Sequence, residues 1–370
     1  MDERRRFQVA YSLLPFGKPG VDKALLTYAG SPEAVFSDTT LKNLPLLPLT
    51  LKLALESKER LLREADEILE KALKLGCDMA FYGETDYPHR LTFCDDAPVF
   101  VFYKGKPVLN APRVLSIVGT RKPTPGGREW TEAIVAGLAK RVPDLVVVSG
   151  LAYGIDITAH IAALNQGLPT VAVLAHGLDT LYPAAHYHTA EALQATGCLL
   201  SELKPGTAAE PWRFLQRNRI VAGVSDACIV VESGEKGGSL NTASRAFEYG
   251  RPVYSRPGRP TDSRSKGNNN LIKRLVATLT DSPDDVLADL GWGETTSVSQ
   301  KGVEQTLFRA LDIKDQAVYK QLRLTETVSL NELVSLTGLS VGDVLASTMQ
   351  LELEGLVEAL PGSRFRAKGK

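Results

Sequence analysis

Four short stretches of this chain set glycine beside a cation or a hydroxyl in a way that suits an anionic guest. They are Gly119-Thr120-Arg121-Lys122, the run from Ser149-Gly150 to Gly154-Ile155-Asp156, Gly234-Glu235-Lys236-Gly237-Gly238-Ser239, and Arg256-Pro257-Gly258-Arg259. Glycine lets the backbone approach a ligand closely, and the N–H groups at a helix start carry partial positive charge. Arg121, Lys236, Arg256 and Arg259 add full charges. Phosphate is the guest these loops share. Between Lys204 and Arg274 stand thirteen basic and six acidic residues, a local excess of seven cations in a chain of net charge zero. A polyanion needs such a concentrated patch. Trp212, Phe214, Arg217, Asn218 and Arg219 lie together just ahead of an expected helix. Rings can stack on unpaired bases, while Arg and Asn can hold phosphates or base edges.

Other chemistries lack their usual patterns. GLAYGID is not the G-x-G-x-x-G of a dinucleotide site, and GEKGGS is not a P-loop. Ser149 does not sit in a G-x-S-x-G nucleophile elbow. His186 and His188 fall two apart in a loop with no acidic ligand spaced beside them, so no metal is expected. Asp156 and His160, four apart, fit a capping carboxylate and a packed histidine. Cys77, Cys94, Cys198 and Cys228 are scattered, which fits core thiols in a reducing cytoplasm better than a disulfide or zinc framework. No cofactor is expected.

Elements must bring these loops to one place. From about residue 113 to 292 the apolar segments 114–120, 145–150, 170–177, 198–202, 227–233 and 252–258 alternate with helical stretches such as 127–140 and 156–166. Continuous apolar strands between helices indicate an α/β, Rossmann-like, doubly wound parallel sheet covered on both faces. Such sheets bind ligands at the carboxyl ends of their strands, where all four loops fall. Residues 1–112 read as a small helical domain and connector. Helices are expected over 7–14 and 21–28, another begins with Ser31 as cap and Pro32 in its first turn, and a long amphipathic one runs from Lys52 to Leu75. A polar linker is expected over 293–303. In 304–370, helices at 304–311, 317–324, 329–337 and 341–354 followed by a small β-wing describe a winged helix. Hydrophobic residues at 44% and charged residues at 23% fit a globular chain with a real core. No apolar run approaches the roughly 18 residues of a membrane span, and no signal peptide is evident, so a cytoplasmic protein is expected.

Several longer motifs, in order, resemble the DprA/Smf family: SIVGTRKPT (116–124), SGLAYGIDITAH (149–160), VAVLAHGLDTLYP (171–183), LLSELKPGT (199–207), FLQRNRIVAG (214–223), GGSLNTA (237–243) and KGNNNLI (266–272). The resemblance implies a Rossmann-like core that binds single-stranded DNA without hydrolysing it. It also implies a homodimer through that core, loading of the recombinase RecA and a part in natural transformation. It places a basic pocket at Arg121, Arg217, Asn218, Arg219 and Lys236, with Phe214 as the aromatic position and Gly267, Asn269, Leu271 and Ile272 as a further element. The ends resemble the family's helical domain (SAM or helix–hairpin–helix-like) and its winged helix. The pattern departs at Asn241, Leu215, Leu275-Val276 and His186, and PFGKPG replaces the hairpin motif near the amino terminus. Two other readings stay open on the residues alone: an N-glycosidase acting on nucleotides, and a winged-helix transcription regulator.

Overall fold

The computed structural model describes residues 2–38, 40–41, 47–292, 312–325, 327–353, 356–360 and 364–367. The chain forms two compact units, 1–293 and 294–370.

The first unit begins with α1 (Glu3–Ser12), α2 (Val21–Ala29), α3 (Pro32–Ser37), α4 (Leu49–Glu56) and α5 (Lys58–Lys74). The first helix starts four residues before its first apolar position, because the Asp2 carboxylate accepts from the Arg4 N–H at 3.1 Å. Ser31 caps the third helix as expected, accepting from the Ala34 N–H at 3.2 Å. The long helix expected over 52–75 is two. Ser57 leaves helical geometry (φ −92°, ψ 30°), and its hydroxyl donates back to the Leu53 carbonyl. The apolar period runs unbroken through the break: Leu51, Ala54 and Leu55, then Leu61, Leu62, Ala65, Ile68, Leu69 and Ala72 are buried.

A nine-stranded sheet follows, in the order β1-β2-β6-β5-β4-β3-β7-β8-β9. Its strands are β1 (Asp78–Phe81), β2 (Phe100–Gly105), β3 (Arg113–Val118), β4 (Leu145–Ser149), β5 (Thr170–Val173), β6 (Cys198–Ser201), β7 (Ala227–Val230), β8 (Val253–Ser255) and β9 (Thr278–Leu279). From β3 to β9 every pairing is parallel. The first two strands are antiparallel additions, β1 on β2 and β2 on β6. They come from residues that the sequence reading placed in the helical region, so the sheet crosses the boundary drawn at 112.

The helices α6 (Pro125–Arg141), α7 (Ile155–Asn165) and α12 (Pro283–Leu290) cover one face, packing on Leu115, Ile117, Leu145 and Val147. Helices α9 (Pro211–Gly223), α10 (Gly238–Glu248) and α11 (Lys266–Lys273) cover the other, packing on Val146, Val148, Cys228 and Val230. Alternate residues of each strand thus feed opposite cores. The helix α8 (Tyr187–Leu193) and the amino-terminal helices share a third cluster with β2, β5 and β6.

The second unit has helices at Ile313–Leu324, Leu330–Thr337 and Val341–Leu353 and strands at Val328–Ser329, Val357–Leu360 and Arg364–Ala367. Its antiparallel sheet places the last strand in the middle. Val318, Leu322, Leu333, Val344, Leu351 and Phe365 form its own core. This is a winged helix. The expected linker 293–303 and helix 304–311 lie outside the described residues. No helix among the described residues is long and apolar enough to cross a membrane.

Candidate nucleic-acid interface

The strand order reverses at β3. The chain proceeds from it to β4, β5 and β6 on one side and to β7, β8 and β9 on the other. The loops after β3 and β7 therefore part and leave a crevice at their carboxyl ends, the usual ligand position of an open α/β sheet. A cleft of about 480 Å³ lies there. It is lined by Gly119, Thr120, Arg121, Lys122, Gly150 and Ala152 from the loops after β3 and β4, by Gly237, Gly238 and Ser239 at the start of α10, and by Phe214, Arg217 and Asn218 of α9.

The cluster 212–219 was expected just ahead of a helix. It lies inside one, since Pro211 opens α9. Helical spacing then sorts the cluster: Phe214, Arg217 and Asn218 sit at i, i+3 and i+4 on the face toward the cleft. The Arg121 guanidinium lies over the Phe214 ring, 5.3 Å from its centre. The Tyr182 ring packs edge-on against Phe214, with centroids 5.7 Å apart. Asn218 donates to the Gly238 carbonyl at 3.2 Å, tying α9 to the start of α10. Trp212 is exposed, with Arg213 over its ring.

Arg217 does not stand in the cleft as a free cation. Its side chain is buried and donates to the Gly150 carbonyl at 2.8 Å and to the Val173 carbonyl. Burial brings its pKa down to about 10, against the pull of Asp156. The Asp156 carboxyl, also buried, is pushed up by burial and pulled back by Arg217. Arg217 therefore ties together the carboxyl ends of β4 and β5. Gly150 has no side chain because a Cβ there would stand 2.6 Å from the Arg217 Cζ. Arg219 points to another face of α9 and pairs with Glu202. Burial pushes the Glu202 carboxyl up, and Arg219 opposes that shift. Both arginines expected to neutralise phosphate on this helix are thus committed inside the fold.

The remaining expected residues divide similarly. The Ser149 hydroxyl is buried and donates to the Ile117 carbonyl at 2.6 Å. Gly154 has φ +85°, and a Cβ there would meet the Arg121 backbone at 2.7 Å, so it admits the loop after β3. Asn269 exchanges bonds with Gly258, donating at 2.9 Å and accepting at 3.2 Å, which fixes the loop after β8. Its neighbour Asn268, not singled out by sequence, is buried and donates to the Val230, Val231 and Arg256 carbonyls. Lys236 is exposed ahead of α10 but outside the cleft lining. Arg121, Lys122 and Lys236 enter no ion pair among the described residues, while Gly238 has no neighbour within 4 Å of a would-be Cβ. The set of expected residues that the fold leaves open is thus narrower than the sequence implies. The groups left open are Thr120, Arg121, Lys122, Phe214, Lys236, Gly237 and Gly238, whereas Ser239 is buried and its hydroxyl donates to the Ser233 hydroxyl at 2.9 Å.

Glu232, which sequence reasoning missed, answers for the other helix start. It is buried at the end of β7, and its carboxylate accepts from the Thr124 backbone N–H at 2.8 Å and from the Thr124 hydroxyl. Arg256 approaches it at 3.4 Å and lies over the Trp130 ring. The amino end of α6, where a dinucleotide's pyrophosphate would sit, already holds the protein's own anion. Two of the histidines are packing groups: His160 Nδ1 meets the Thr170 hydroxyl at 2.7 Å and His186 Nδ1 the Leu151 carbonyl at 2.8 Å, while His188 is exposed. Among the described residues no cluster of His, Cys, Asp and Glu could hold a metal.

The family model described as DNA recombination-mediator protein A matches residues 78–291, well over half of the chain. The chain belongs to this family. The DprA winged helix domain model matches residues 306–363. A putative DNA processing protein DprA of Mycobacterium tuberculosis is 39% identical over 275 residues, which cover 73% of this chain and 69% of that one. The DNA processing protein DprA of Streptococcus pneumoniae is 42% identical over 204 residues, covering 55% and 71%. The X-ray structure of the Streptococcus pneumoniae protein superposes with a TM-score of 0.66 at 33% identity, over 78% of this chain and 98% of that one. The DNA processing protein A of Helicobacter pylori, solved for its single-stranded DNA binding mode, superposes with a TM-score of 0.52 at 28% identity, over 58% and 95%. The family match runs from β1 to α12, so the two antiparallel strands belong to the family's core rather than to the helical region.

Proposed function

We propose that this family member binds single-stranded DNA along the carboxyl edge of its sheet, as a carrier and not as an enzyme. The observation that carries this reading is Arg121 over Phe214 at the mouth of the switch-point cleft. A ring and a guanidinium plane offer stacking to any unpaired base, and base–aromatic stacking does not require a particular sequence. The turn at Gly237–Ser239 offers backbone N–H groups to phosphate, and Lys122 and Lys236 add charge along the track. A duplex hides its base faces, so the single strand is the favoured form. The binding described for the Helicobacter pylori relative supports the same choice.

In the finer reading, the protein works in the cytoplasm, protects incoming DNA and loads RecA onto it during natural transformation. It dimerises through the α/β unit, where the edge strand β9 lies beside exposed Phe247, Leu275 and Leu279. Two linked cleft copies would hold a long strand by avidity. A fluorescent oligonucleotide, single-stranded or as a duplex of the same sequence, titrated with the full chain over a range of salt, tests the core of this. Tighter, salt-sensitive binding of the single strand is expected. Equal or duplex-favoured binding would overturn the reading.

A further inference from the structure

The loop after β5 carries the end of the VAVLAHGLDTLYP motif, and none of its residues 174–183 lines the cleft. Tyr182 nevertheless touches the cleft's aromatic residue: its ring packs edge-on against Phe214, and the side chain is left 49% exposed. The backbone of Tyr182 is tied from inside. His176 is buried, and its Nδ1 meets the Gly177 carbonyl at 2.9 Å. A carbonyl only accepts, so Nδ1 carries the proton and Nε2 is the acceptor. Nε2 takes the Tyr182 backbone N–H at 3.2 Å. The loop after β4 repeats the arrangement. Tyr153 follows Ala152 of the cleft lining and is 47% exposed. Its ring packs edge-on against the buried His186, with centroids 4.9 Å apart, and His186 Nδ1 donates to the Leu151 carbonyl. Two adjacent parallel strands thus each lead to an exposed tyrosine braced by a buried histidine.

Exposed rings scattered singly need no explanation. These two lie beside a cleft that already offers a ring, and one of them touches that ring. A tyrosine has few rotatable bonds, and a ring already held in place costs little further ordering when a base stacks on it. The charge around them fits a polyanion's bases rather than its phosphates. From residue 174 to 190 the chain has no lysine or arginine and a single acidic residue, Asp179. The Asp179 carboxylate accepts from the Gly206 N–H at 2.7 Å. Little here repels a strand, and no full cation is present to hold its phosphates.

We infer that Tyr182 and Tyr153 are stacking platforms that carry the bases of a single strand beyond Phe214, over the carboxyl ends of β5 and β4. The inference rests on the single-strand reading of the cleft, and it sends the strand out of the cleft on the β4–β5 side rather than toward β8. The test measures the anisotropy of a labelled oligothymidylate of about 12 nucleotides on the full chain over a range of salt, with wild type and the Tyr182→Ala, Tyr153→Ala and Phe214→Ala variants. Each tyrosine variant should bind at least about fivefold more weakly. The slope of log affinity against log salt should stay that of the wild type, because no phosphate contact is removed. Tyr182→Phe keeps the ring and should bind as the wild type does. An abasic strand of the same length should not distinguish wild type from Tyr182→Ala. Thermal unfolding of the variants, expected to match the wild type, shows that the fold is kept. Tyrosine variants within about twofold of wild type, with Phe214→Ala still weakened, would overturn this proposal and leave the cleft reading standing. Equal affinity of the wild type for single strand and duplex would remove the cleft reading itself. A lowered salt slope in the tyrosine variants would make these loops phosphate holders, and loss of self-association would assign the rings to a second copy; either result overturns the stacking role.

Discussion

Two helix starts flank the switch point of the sheet, and the protein treats them differently. At α6 the carboxylate of Glu232 takes the N–H and hydroxyl of Thr124, so the position is filled from within. At α10 the turn Gly237–Ser239 opens into the cleft, and nothing crowds Gly238. The arginines divide the same way. Arg217 is consumed by backbone carbonyls inside, while Arg121 lies free over Phe214 at the rim. A helix start or an arginine becomes a binding element only where the chain does not supply its own partner. The inner half of the edge holds the sheet together, and the outer half is left for the ligand.

The sharpest break of this comparison is Arg217→Ala. It leaves the Gly150 and Val173 carbonyls without their donor and Asp156 without its cation, so urea unfolding should show a loss of about 3–5 kcal/mol. Arg121→Ala should leave stability within about 0.5 kcal/mol. Equal effects of the two would erase the distinction between inner and outer halves.

A second effect belongs to the inner half. The buried His160 has its pKa lowered by burial to about 3, against an ordinary value of 6.5. Its native form therefore binds a proton less readily than the unfolded chain does. Stability is complete above about pH 6.5 and declines as the pH falls toward 3, by roughly 1.4 kcal/mol per unit. At pH 5 the loss from this group should be about 2 kcal/mol, and His160→Gln should flatten that part of the unfolding profile. An unchanged slope would show that other groups set the acid limit.

On the outer half, Phe214→Ala should weaken single-strand binding by about 1–3 kcal/mol, or roughly 5- to 150-fold. Arg121→Ala should lower the slope of log affinity against log salt by about 0.7. Both are read by fluorescence anisotropy. The smallest stability effect is expected for Gly238→Ala, within about 0.5 kcal/mol, because its Cβ would meet open space. That methyl group would occupy room used by a phosphate, so strand affinity should still fall. Unchanged affinity would move the DNA away from the start of α10.

Six of the seven parallel strands were legible, because uninterrupted apolar runs such as VVVS and CIVV mark strands covered on both faces, whereas β9 is two exposed residues with no such run. The first two strands were not, since Asp78–Phe81 is only four residues long and follows directly on a helix. The cleft was legible as a set of loops but not as a set of free groups. Pro211 signals a helix start, and helical spacing from it would have put Arg217 beside Phe214 and turned Arg219 away. Sequence counts every arginine as an available charge and has no means of showing that two carbonyls will claim Arg217. Glu232 looked unremarkable for the same reason: its role depends on Thr124, more than a hundred residues earlier.

The most direct measurement of the central claim is a crosslink map. A single-stranded oligonucleotide carrying 5-bromodeoxyuridine is bound to the full chain and irradiated, and the modified peptides are identified by mass spectrometry. Crosslinks should fall on the α9 segment containing Phe214 and on the loop containing Arg121. Crosslinks confined to residues 313–367, or to the face away from the carboxyl edge of the sheet, would contradict the account.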